Sequence, residues 1–267
     1  MKFFKPWLQI LVGGIVLFIA SDEALRITKN PNFFPTVILL GAFTIPIAFV
    51  VYFYEHVKHR EISLPLLTSN FIVGGVIGII AAGFIEYGTL RSLNIASLFG
   101  VAAIEECVKL IFPLILYVGW RYHHEADGLL FGISAGMGFA ALETMGYGLV
   151  SLLESFGNIG VLDQVLLVRG LLAPAGHAAW TGFFCAILWR ERERKGHVNI
   201  NWLVIVALLL AIVLHAVWDL INSLGAQSTT SFVLIIIGNV VIAGISLTLV
   251  ILRYREAKKM VPQSVPA

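Results

Sequence analysis

The chain has 267 residues, of which 58% are hydrophobic and only 13% charged, about half the charged share of a soluble domain, and its mean hydropathy is +0.90. So few charges could not cover a soluble surface of this size, and glycine without a period and two cysteines exclude a collagen-like fibre and a disulfide scaffold. The apolar runs exclude disorder, and a net charge of +2 is too small to argue for nucleic acid.

Apolar stretches between charge clusters predict an all-α, polytopic membrane bundle, one domain over 1–267. About eight spans are expected, at roughly 6–20, 33–54, 67–90, 95–119, 128–152, 164–189, 202–223 and 231–252, most long enough to cross about 30 Å of hydrocarbon as helices. The first span follows Met-Lys-Phe-Phe-Lys and could pass for a signal peptide. Phe18 would then stand three residues before a cut after Ala20, where a small residue is needed, so the span is expected to remain as an anchor.

Arginine and lysine set the expected orientation. With both termini inside, the inner segments hold Lys2, Lys5, Lys58, Arg60, Arg121, Arg190, Arg192, Arg194, Lys195, Arg253, Arg255, Lys258 and Lys259. The outer loops hold only Arg26, Lys29 and Arg91. Trp7, Trp120, Trp189 and Trp202 fall at inner span ends, where an interfacial belt would place them. Cys107 and Cys185 lie within spans without a partner motif and are expected to be unpaired apolar filler.

Ionisable side chains deep in a span are expensive, face the protein interior and mark function. Span four carries Glu105, Glu106 and Lys109; span five, Glu143; span six, Arg169 and His177; span seven, His215 and Asp219. Lys109 can pair with Glu105 at i, i+4 or with Glu106 at i, i+3. Adjacent carboxylates in hydrocarbon do not both ionise without nearby cations, and a carboxylate held in that balance suits general acid–base work. Asp219, one turn after His215, can orient the imidazole and select its tautomer. By helical rise, Glu105, Glu106, Glu143, His177 and His215 all fall between the midplane and the outer leaflet, so one polar cavity near the outer face is expected. Span five repeats small residues every four positions, through Gly128, Gly132, Gly136, Ala140, Thr144 and Gly148, and span three does so through Gly74, Gly78 and Ala82. Such stripes let a neighbouring helix come close.

Glu105-Glu106-x-x-Lys109, Gly138-Phe139-Ala140-x-x-Glu143, Arg169 with His177 eight residues on, and His215-x-x-x-Asp219 together resemble the PrsW family of intramembrane proteases, related to the CAAX-processing and bacteriocin-processing membrane proteases. The resemblance covers about 95–223, the expected catalytic core. One departure is Thr144 after Glu143, where the family usually has asparagine. The resemblance implies an endopeptidase in a prokaryotic cell membrane, cutting a membrane-anchored, anti-sigma-factor-like substrate on its extracytoplasmic side. No Gly-x-Ser-x-Gly or His-Glu-x-x-His motif is present, so hydrolysis needs a water activated by carboxylate, with or without metal.

Glu105 or Glu106 is the expected base, with Lys109 supporting its charge. Glu143, His177 and His215 form a possible zinc set, with Asp219 behind His215. The metal-free version keeps the carboxylate and uses a histidine as donor to the oxyanion. The expected partners are membrane lipids and a single-span protein or peptide. Two other classes fit the buried charges: a proton- or ion-coupled transporter, and a silent scaffold binding membrane helices through its glycine stripes.

Overall fold

The computed structural model describes residues 5–57, 62–89, 95–119, 121–225 and 228–260. Lys2, Lys58, Arg60, Arg91 and Trp120, used in the orientation argument, lie outside the described residues. The protein is all-α, with no strand among the described residues. In chain order the helices are α1 (Pro6–Thr28), α2 (Phe34–His56), α3 (Leu64–Thr89), α4 (Ile95–Lys109), α5 (Ile111–Val118), α6 (Glu125–Glu154), α7 (Ile159–Leu172), α8 (His177–Lys195), α9 (Trp202–Ser223) and α10 (Thr229–Met260). Short 3-10 turns, Pro31–Phe33 and Ala173–Ala175, precede α2 and join α7 to α8.

Among the described residues, seven helical stretches are long and apolar enough to cross a membrane, which makes this a multi-pass membrane protein. Two of the expected eight spans depart from a simple rod. Span four is divided at Leu110 into α4 and α5, because Pro113 has no N–H to donate to the carbonyl of Lys109. Span six is longer than expected and broken at Ala173–Ala175, where Pro174 and Gly176 interrupt the helix just before His177. In a bilayer such breaks are tolerated only where neighbouring groups or a cavity satisfy the freed backbone. Both breaks abut ionisable residues of the core, Lys109 and His177.

Helix α6 is the axis of the bundle. From Glu125 to Ala141 every residue is buried, and it packs most extensively against α8, then α3 and α2. The glycine stripe explains the approach. A Cβ at Gly128 would stand 2.6 Å from the carbonyl oxygen of Cys185, and one at Gly132 2.5 Å from that of Thr181. A Cβ at Gly136 would collide with the carbonyl of His177. On the opposite side, a Cβ at Gly75 would lie 2.6 Å from the carbonyl carbon of Gly138, so α3 and α6 also meet backbone to backbone. Asn70 seals this contact by donating to the carbonyl of Phe131 at 2.8 Å, and Ser134 by donating to that of Leu67 at 2.9 Å. Apolar side chains such as Phe84, Leu234 and Val240 on α3 and α10 are exposed on the outside of the bundle, as suits helices long enough to cross a membrane.

Candidate active site

The end of the bundle that carries the Arg190–Lys195 run is tied by polar contacts that fix where α6 begins and α8 ends. His124 and Asp127 form a reciprocal cap at the start of α6, and His124 Nδ1 also meets Glu193 of α8 at 2.9 Å. Trp189 donates to the carbonyl of Tyr122 at 3.0 Å, and Arg192 to that of Tyr117. Both cysteines are free, Cys185 within the core and Cys107 exposed.

From that anchored end, α4, α6, α8 and α9 carry the ionisable side chains to one place. Lys109, with no exposed surface, donates to Glu106 Oε1 at 2.8 Å, to Glu105 Oε2 at 3.2 Å and to His177 Nδ1 at 2.7 Å. Its ammonium also lies 4.3 Å from the ring centre of Phe139. The two pairings at i, i+3 and i, i+4 are therefore made together. A lysine buried this deeply needs such company, since an unpaired ammonium in hydrocarbon would be severely penalised.

The adjacent glutamates differ in surroundings. Glu106 is 1% exposed and fully engaged: Oε1 accepts from Lys109 and, at 3.0 Å, from His215 Nδ1, while Oε2 accepts from the hydroxyl of Thr181 at 3.2 Å. Glu105 is 8% exposed and lines an open cavity of about 520 Å³. Glu143, Arg169, His177, His215 and Asp219 line the same cavity. Its other walls include Leu98, Tyr147 and Asn222, near the start of α4 and the ends of α6 and α9. It therefore extends toward the end of the bundle opposite the Arg190–Lys195 run.

Contacts assign the histidine tautomers. His177 accepts from Lys109 at Nδ1, and its Nε2 lies 3.0 Å from Glu143 Oε2. The proton therefore belongs on Nε2, the nitrogen next to the carboxylate. Glu143 is held in turn by Arg169 at 2.7 Å, whose guanidinium covers the ring of Tyr147 at 4.0 Å. His215 donates from Nδ1 to Glu106. Its Nε2 has only longer approaches, 3.4 Å to Asp219 Oδ2 and 3.6 Å to Glu105 Oε2, and so remains free to turn to a guest in the cavity.

Donor atoms of Glu105, His177 and His215 all lie within 4.8 Å of one another, and the group could hold a metal ion. One carboxylate and two imidazoles suit zinc chemically, on condition that His177 gives up its contact with Lys109 at Nδ1 or its proton at Nε2 to free a nitrogen for the ion. This differs from the expected Glu143, His177, His215 set in one member: Glu143 is engaged with Arg169 and stands behind His177, while Glu105 faces the shared space. Sequence reasoning also missed Glu86 of α3, which lines the cavity with a buried Oε1 lacking a hydrogen-bond partner among the described residues. It missed Thr181, Trp180 and Trp218 as well. Glu86 is a carboxylate within span three, but it lies near the span's end, where an ionisable side chain costs less and signals function less sharply.

A family profile described as PrsW family intramembrane metalloprotease matches residues 62–246, wider than the 95–223 core at both ends. The chain is similar to the protease PrsW of Halalkalibacterium halodurans, with 24% identity over 194 residues, 69% of this chain and 82% of that relative. It is also similar to the protease PrsW of Bacillus subtilis, with 25% identity over 182 residues, 66% of this chain and 78% of that relative. No solved structure matches it.

Proposed function

The chain belongs to the PrsW family of intramembrane proteases, and from that premise we propose that it cuts a peptide bond of a membrane-anchored, anti-sigma-factor-like protein in the outer half of the bilayer. The observation that carries the chemistry is the division of labour between adjacent carboxylates. Glu105 opens on the cavity, while Glu106 is locked by Lys109, Thr181 and His215.

Hydrolysis needs a base for water, a stabiliser for the oxyanion and shelter from bulk solvent. Glu105 takes a proton from a water in the cavity as its oxygen adds to the scissile carbonyl, and gives that proton to the amine nitrogen as the C–N bond breaks. The Lys109 ammonium beside it offsets the carboxylate's charge. His215, backed by Glu106 at Nδ1, presents Nε2 to the developing oxyanion when doubly protonated. His177 is fixed by Lys109 and Glu143, and Arg169 holds Glu143 in place. Residues 95–223 form the catalytic core, with both termini cytoplasmic. The clustering of Glu105, His177 and His215 supports a second version in which these three hold a zinc ion. Such an ion polarises a carbonyl and acidifies bound water when present.

The test is to incubate detergent-purified protein with a panel of single-span peptides and read products by mass spectrometry. Cleavage by the wild type, absent in Glu105→Gln, supports the reading; no cleavage of any peptide opposes it. Activity that survives exhaustive chelation, with no stoichiometric zinc by elemental analysis, eliminates the metal version and leaves the glutamate one.

A further inference from the structure

The two histidines share a wall that the proposed chemistry leaves unused. Trp180, 1% exposed, stacks on the His215 imidazole with ring centres 4.6 Å apart and planes 22° from parallel. It also meets His177 edge-on at 5.4 Å. A single indole thus touches both imidazoles. Its own orientation is fixed from outside the four-helix core: Trp180 Nε1 donates to Ser246 Oγ of α10 at 2.9 Å, and Ser246 is itself buried.

A buried indole N–H without an acceptor is unfavourable, and in hydrocarbon no water can replace a lost partner. Ser246 therefore selects one rotamer of Trp180. That rotamer in turn restricts rotation of the His215 ring, whose close hydrogen bond among the described residues is to Glu106 on the ring edge. Ile242, one turn before Ser246, packs with Trp180, Ala211 and Leu214 and holds α10 against this wall. Most of α10 otherwise shows apolar side chains to the outside, so a buried hydroxyl in it stands out.

We propose that Ser246 and Trp180 are positioning residues that hold His215 in register with Glu106 and the cavity, making α10 part of the catalytic apparatus. The proposal rests on the protease reading for its kinetic consequence, and on geometry alone for the ring's orientation. Two measurements test it. With the peptide cleaved fastest in the panel above, Ser246→Ala is expected to lower kcat roughly tenfold with KM unchanged, as loss of an outer support typically does. Ser246→Thr, which keeps the hydroxyl, should restore most of the rate. Trp180→Phe, which removes the donor, should show a loss that Ser246→Ala does not deepen.

The second measurement needs no substrate: nitrogen chemical shifts of the His215 ring in labelled protein in detergent. They should move in Ser246→Ala and return in Ser246→Thr. Unchanged kcat in Ser246→Ala, or losses that multiply in the double variant, overturns the proposal. Unmoved His215 shifts overturn it even if no peptide is cleaved. In that last case the protease reading fails separately, because moved shifts would still support the positioning role.

Discussion

Lys109 is where burial and charge are most closely balanced. Its ammonium serves Glu105, Glu106 and His177 at once, and removing one partner of a buried pair strands the other charge. Lys109→Met is therefore expected to destabilise the protein by about 3–5 kcal/mol, seen as a large drop in the melting temperature in detergent. A melting temperature equal to wild type would show that the glutamates do not depend on it. Glu105→Gln and Glu106→Gln keep an oxygen to accept from Lys109, so both should stay folded while losing cleavage by at least about a hundredfold, measured on the peptide panel with circular dichroism as the folding control. The charged residues were legible in the sequence because hydrocarbon forbids them elsewhere. Their pairing was less so. Helical spacing placed Lys109 against either glutamate, but nothing local placed Glu106 against His215, more than a hundred positions away, or set Arg169 rather than a metal beside Glu143.

At the level of elements, the contact between α6 and α8 and the two helix breaks build the site. The small-residue stripe from Gly128 to Gly148 was legible from its period, and its partner became clear only in three dimensions: the backbone of α8 at Cys185, Thr181 and His177. The closest α3–α6 approach sets Gly138 against the backbone of Phe71, with Gly75 beside it, outside the four-residue periods, because relative helix rotation is not written in either sequence. Gly132→Leu should separate α6 from α8, lowering stability by about 1–3 kcal/mol or more and abolishing cleavage. A variant with wild-type melting and activity would contradict the close packing. Gly146, whose surroundings are open, is the control: Gly146→Ala should be neutral or slightly stabilising. The breaks at Leu110 and Ala173–Ala175 had visible signals in Pro113 and Pro174, yet hydropathy averages pass over single prolines. That is why spans four and six looked continuous.

For the molecule as a whole, the charge asymmetry of the sequence predicts how the bundle, and with it the cavity, is oriented in the membrane. Cysteines introduced at 158 and 197 should label from outside and inside respectively; the reverse pattern would put the cavity mouth on the cytoplasmic face. The all-α membrane architecture was legible from composition, whereas the contribution of α10 was not, since only Ser246 among apolar neighbours marks it. In the proposed mechanism a water activated at Glu105 splits a substrate helix in the outer half of the membrane. The most direct measurement reconstitutes the protein in liposomes with a cleaved single-span substrate in heavy-oxygen water, and reads products by mass spectrometry. The expected result is one cut, in the outer half of the substrate's span, one heavy oxygen in the new carboxyl group, and no product from Glu105→Gln. A cut in the inner half, or full cleavage by Glu105→Gln, would contradict it.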